Sequence, residues 1–150
     1  MPFAPFVPLR VLSSYTMLEG AIDPKAIARL AVERGFPAIA ICDRNGLYGA
    51  VPFASAARDK GVQPIVGGPA RGGGRRGRGG APPGSGPATP TLDWLPLYAQ
   101  DEAGYRNLCH LVSRAHLARP VELPAHVALA DLVGRTEGLI ALTGAGEGAL

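Results

Sequence analysis

The run "FPAIAICD", residues 36 to 43, limits the possible folds more than any other stretch. It is apolar at nearly every position and too short for a stable helix, so it reads as a parallel strand covered by helices on both faces. Its neighbours fit that reading. Before it, "IDPKAIARLAVERG" offers Asp23 as N-cap, Pro24 at the first helical position, Gly35 just past the end and a buried stripe of Ile27, Leu30 and Ala31. After it, "AVPFASAARDKG" suits a second helix, with Pro52 tolerable near the first turn and Gly61 as the stop.

Upstream, "VPLRVLS" reads as a first strand, and downstream "VQPIVGG" reads as a third. "DWLPLYA" follows as a strand weakened, or pushed towards an edge, by Pro96. "DEAGYRNLCHLVSRAHLAR" gives a helix capped by Asp101, with Leu108, Leu111, Val112 and Ala115 on one face, and "GLIALT" makes a last short strand. This alternation predicts an α/β fold with mostly parallel strands. About five strands are visible, whereas an eight-stranded parallel barrel takes about 250 residues, so a barrel-type fold would be incomplete in 150 residues.

A hydrophobic content of 47% is enough for one packed core. No basic start precedes an apolar run, and no window approaches the ~20 apolar residues of a membrane span, so the expectation is a cytoplasmic chain with no membrane partner. Cys42 and Cys109 form no C-x-x-C pair and are expected to be reduced and structural.

The net charge of +3 invites a nucleic-acid reading, but Arg71, Arg75, Arg76 and Arg78 sit in one acid-free segment, and without them basic and acidic residues nearly balance. That segment, residues 67–91, is almost wholly Gly, Pro, Arg, Ala and Ser. Such a composition buries too little apolar area to offset the entropy of ordering, which predicts a disordered insertion between a first part, 1–66, and a second, 92–150. The functional alternative is an arginine-glycine module drawn to nucleic-acid phosphates through those four arginines.

Chemistry-bearing motifs are sparse. His110 and His116 stand six apart on a helix, where ligand pairs stand three or four apart, so these two and His126 read as surface or packing residues. "GAGEG" lacks the spacing of a phosphate cradle, and "SSYT" lacks the G-x-S-x-G elbow of a serine nucleophile. "DRNGLYG", residues 43–49, reads as a turn, but it lies at the carboxyl end of a parallel strand, where α/β folds place ligands. Asp43 and Arg44 are therefore the best contact candidates.

Taken in order, "LRVLSSYTMLEGAI", "GFPAIAICDRNGLYGAVPFASAARDKGVQPIVG", "YAQDEAGYRNLCHLVSRAHL" and "EGLIALTG" resemble the amino-terminal polymerase-and-histidinol-phosphatase (PHP) domains of bacterial replicative DNA polymerase III alpha subunits. The resemblance implies a distorted (β/α)7 barrel, incomplete here. In metal-binding members the first strand ends in His-x-His, the second in Asp-His, and a Glu follows the third. The matching positions hold Arg10 and Leu12, then Asp43 and Arg44, then Pro69. Arginine is permanently cationic, and leucine and proline offer no side-chain donor, so the resemblance implies a degenerate site with no metal and no catalytic residue of its own. Glu19 and Asp43 remain, and pairing with the arginines would neutralise the pocket.

By the same resemblance the chain is expected to be a truncated part of an alpha subunit acting in DNA replication as a structural and docking module. Its partners would be the remainder of that subunit and a proofreading exonuclease subunit, with DNA met only indirectly. Whether the chain itself is an enzyme stays open: the family polymerises DNA, but its magnesium-binding palm is not among these residues. The rival readings are an active PHP phosphoesterase or 3'-5' exonuclease with altered ligands, and the Arg/Gly nucleic-acid module.

Overall fold

The computed structural model describes residues 6–44, 46–73, 92–119 and 125–143. Three helices and four strands alternate in the order α1 (Pro24–Glu33), β1 (Ala38–Cys42), α2 (Ala50–Asp59), β2 (Gln63–Gly73), β3 (Leu92–Ala99), α3 (Glu102–Leu117) and β4 (Leu139–Ala141), with a short 3-10 turn at Leu129–Leu132 before β4. The helix boundaries follow from local signals. The Asp23 carboxylate accepts from Lys25 N–H and that of Asp101 from Gly104 N–H, each satisfying a backbone donor that a helix start leaves open. Gly35 and Gly61 follow α1 and α2 in left-handed conformation, as helix stops require.

The strands pair in the order β1-β2-β3-β4. Of the pairs among the four described strands, β1–β2 is parallel and β2–β3 and β3–β4 are antiparallel, so the α/β expectation holds with a mixed sheet. Among the described residues no helix separates β2 from β3, and an antiparallel pair needs no helical crossover. β2 also runs seven residues into the segment expected to be a disordered insertion, pairing Gly67–Gly73 with Leu92–Tyr98. Residues 74–91 lie outside the described residues.

Two prolines face each other in this ladder, Pro69 opposite Pro96. Pro96 O accepts from Leu142 N–H just past the end of β4, so the donor that Pro96 lacks falls on the last rung of that ladder, where one bond of the pair is still made. That is how Pro96 comes to sit in an inner strand rather than at an edge.

The expected first strand is an extended segment beside β1 rather than a regular strand. Ala40 N–H donates to Pro8 O and Cys42 N–H to Val11 O, so three steps along one chain face two along the other, a bulge-like stagger. Helices were expected on both faces of the sheet; the three described helices pack on one. Ile39 and Ile41 meet Ile27, Ala28 and Phe53 of α1 and α2, and Leu97 meets Leu108 and Leu111 of α3. On the opposite face Ala40, Cys42 and Tyr98 pack with Leu9, Ile65 and Leu142, which accounts for the uninterrupted apolar run of β1. Leu30 and Val112, expected in the buried stripes, are only half-buried at their borders.

Gly104 lets α3 lie directly on the turn before β4: a Cβ there would collide with the Gly138 carbonyl, which also accepts from Gln100 N–H at 2.8 Å. Among the described residues no helix is long and apolar enough to cross a membrane.

Candidate functional site

Asp43 and Arg44 leave the carboxyl end of β1, and the turn of residues 13–20 folds over them. Asp43 is 2% exposed. Its carboxylate accepts from Ser13 N–H at 2.6 Å, Ser13 Oγ at 2.7 Å and Thr16 Oγ1 at 2.9 Å. Thr16 Oγ1 in turn accepts from Arg44 N–H at 3.0 Å. A buried carboxylate needs this many donors to remain favourable away from water. Asp43 thus fastens the first turn to β1, the job of a structural clasp. Gly20 completes it, because a Cβ there would run into the Ser13 carbonyl.

Arg44 turns the other way. Its Nε lies 2.6 Å from Glu19 Oε2, and the guanidinium carbon sits 4.1 Å above the centre of the Trp94 ring. The expected pairing of acid with arginine is therefore met by Glu19 and Arg44, whereas the Asp43 carboxylate is held by the hydroxyls and backbone of the first turn. Arg10, Leu12, Cys42, Arg44, Trp94 and Pro96 line one small cleft. Of the positions singled out in the sequence, Arg10, Leu12 and Arg44 line this cleft, Asp43 lies beneath the first turn beside it, and Pro69 is in β2 opposite Pro96. Arg71 lies in β2 opposite Trp94, and Arg75, Arg76 and Arg78 fall outside the described residues.

Sequence reasoning missed Ser13, Thr16 and Trp94. The hydroxyls of "SSYT" were weighed only as nucleophiles, and Trp94 reaches Arg44 across fifty positions, which no local spacing signals. Replacing Arg44 with alanine removes a mostly buried cation and uncovers the indole, so we expect Arg44→Ala to lower unfolding stability by about 1–2 kcal/mol in urea titration. An unchanged midpoint would show the stack to be incidental.

Cys42 lines the cleft, and Tyr98 packs with it in the small core cluster behind. Burial pushes the Cys42 thiol above its ordinary 9.0, an effect that Tyr98 and the positive charges of Arg10 and Arg44 partly offset and Asp43 reinforces. Burial raises the Tyr98 phenol too, helped by Cys42, and its hydroxyl donates to Leu9 O at 2.9 Å. Both groups hold their protons more firmly folded than unfolded, so their contribution to stability is complete at neutral pH and is lost as the pH rises past 9. The melting temperature should accordingly stay level from pH 7 to 8.5 and fall above 9, with a shallower fall in Tyr98→Phe; equal slopes in both proteins would refute this. Both cysteines are free thiols, as the sequence suggested.

As a donor set the cleft does not suit a divalent cation. Two guanidinium groups bring positive charge, Leu12, Trp94 and Pro96 bring no ligand atom, and Cys42 keeps its proton. Among the described residues no three His, Cys, Asp or Glu side chains converge as metal ligands. His110 is exposed, and His116 and His126 are half-buried.

Comparison with known proteins gives this geometry a family. The PHP domain model matches residues 8–150. The DNA polymerase III subunit alpha of Caulobacter vibrioides is 44% identical over 144 residues, covering 95% of this chain and 12% of that protein. The corresponding subunit of Vibrio cholerae is 32% identical over 152 residues, and an error-prone DNA polymerase of Anaeromyxobacter is 38% identical over 117. The chain therefore spans about a tenth of the length of these relatives. Among solved structures, a candidate metal-dependent phosphoesterase of Bifidobacterium adolescentis aligns at TM-score 0.55 and 13% identity over 79% of this chain and 36% of that one. An amidohydrolase of Chromobacterium violaceum, solved with sulfate and no metal, aligns at TM-score 0.53 and 17% identity over 73% and 32%. These two share the fold. From the family match and the polymerase relatives together, the chain belongs to the PHP domain family.

Proposed function

We propose that this chain is the PHP portion of a DNA polymerase III alpha subunit and serves replication as a structural and docking module, without phosphoesterase chemistry of its own. One observation carries the reading: at the mouth of the fold, Arg44 is clamped between Glu19 and Trp94 where a hydrolytic site would need converging metal ligands. A guanidinium held this way braces the loops around it and activates no water. The partners in this reading are the rest of the alpha subunit and a proofreading exonuclease subunit, in the cytoplasm, with DNA reached only through the assembly. Polymerisation and its magnesium ions would belong to another part of the subunit.

The test is a replacement. The matched portion of the Caulobacter vibrioides alpha subunit is exchanged for this chain, and primer extension is measured beside hydrolysis of bis(p-nitrophenyl) phosphate by the chain alone with manganese. Extension by the chimera with no hydrolysis by the chain is the expected pair of results. Metal-dependent hydrolysis that disappears in Asp43→Asn would favour the active phosphoesterase instead.

A further inference from the structure

A cavity of about 300 Å3 opens between the first extended segment, at Pro8 and Val11, and α1, at Ile27 and Leu30. Phe6 and Phe36 stand beside it edge to face, their ring centres 5.8 Å apart. Among the described residues it is lined by eight apolar side chains and one charged one, that of Arg34. Apolar walls with few polar groups are the make-up of a small-molecule pocket, and the volume lies at the lower end of the roughly 300–1,000 Å3 that such pockets span. It is also roughly twice the apolar cavity that admits one benzene ring, which leaves room for a chain of about eight to ten carbons.

Arg34 decides what the other end of such a ligand must be. It is the exposed C-cap residue of α1. The acid beside it, Glu33, pairs instead with Arg29, and among the described residues no ion pair engages Arg34. The carbonyls of Leu30, Ala31 and Val32 at the end of α1 already accept from the N–H groups of Arg34, Phe36 and Gly35. The guanidinium therefore has no fixed acceptor at the rim. It is permanently cationic and presents paired donors that match a carboxylate, so its charge complement is a carboxylate head on an apolar chain.

We propose that this cavity binds one small amphiphilic carboxylate, its hydrocarbon chain held between the first segment and α1 and its head on Arg34. The site shares no lining residue with the cleft of Arg10 and Arg44, and it does not depend on the function proposed above.

Calorimetric titration of the chain with octanoate and with 1-octanol separates the head from the tail. One octanoate should bind per chain, and Arg34→Gln should weaken it at least tenfold while leaving 1-octanol unaffected. Ile22→Trp places a larger apolar side chain in the cavity wall, at a position 36% exposed whose tie to the first turn, Ser14 N–H to Ile22 O, runs through the backbone. It should abolish binding of both ligands without lowering the melting temperature. Should that variant fail to fold, the exposed Arg34→Gln substitution decides alone. Equal octanoate affinity in Arg34→Gln, or several octanoates per chain that Ile22→Trp does not remove, would overturn the proposal. Loss of the site in the chimeric polymerase would show that the rest of the subunit covers the cavity, and binding that appears only once residues 1–5 are deleted would assign it to the chain's own amino terminus; either result also overturns it.

Discussion

Asp43→Ala is expected to cost about 3–5 kcal/mol of unfolding stability, since each buried donor left unsatisfied costs roughly 1–3 kcal/mol and three donors lose their acceptor. Those donors are Ser13 N–H, Ser13 Oγ and Thr16 Oγ1, all closed off from water with the carboxylate. The hydroxyls can turn to other acceptors, which keeps the loss below a simple sum. Ser13 N–H has no such freedom. Asp43→Asn should fall between, because the amide keeps one acceptor and turns a second donor towards the hydroxyls. Urea unfolding of the three proteins gives the order wild type, Asn, Ala. A loss below about 1 kcal/mol for Asp43→Ala would mean that the clasp is solvated after all. The same substitution should free the turn of residues 13–20 above it, since Ser13 and Thr16 anchor that turn.

Phe53→Ala is the second large effect. Phe53 is 0% exposed and packs among Ile27, Ala31, Ile41 and Ala57, where α1 and α2 meet β1. Truncating a buried phenylalanine costs about 3–5 kcal/mol, combining lost transfer energy with the cavity left behind. Against a total stability of about 5–15 kcal/mol for a domain, that brings the chain close to unfolding at ambient temperature. Phe53→Leu should cost about 1.5 kcal/mol or less, because most of the volume remains. Near-equal losses for the two variants would show that this layer collapses around the gap instead of holding its shape.

What could be read in the sequence was local. Asp23, Pro24 and Gly35 mark α1 because capping acts over a few residues, and Asp101 marks α3 for the same reason. The short apolar run of β1 was equally plain. The far end of β2 was not, because its glycines and arginine have the composition of a loop and only pairing with β3 makes them a strand. The first segment has strand composition but a stagger against β1 that composition does not encode. At the site, Arg10, Leu12, Asp43 and Arg44 were legible as residue types. Their partners were not: Asp43 finds Ser13 thirty positions away, and Arg44 finds Trp94 fifty away.

That Arg44 and its neighbours brace the mouth of the fold, with no divalent metal held there, is tested most directly by calorimetric titration of the purified chain with zinc and with manganese. The account predicts no saturable heat at micromolar metal and an unaltered melting temperature when either ion is added. Stoichiometric binding of one or more ions in that range, abolished by Asp43→Asn, would contradict it.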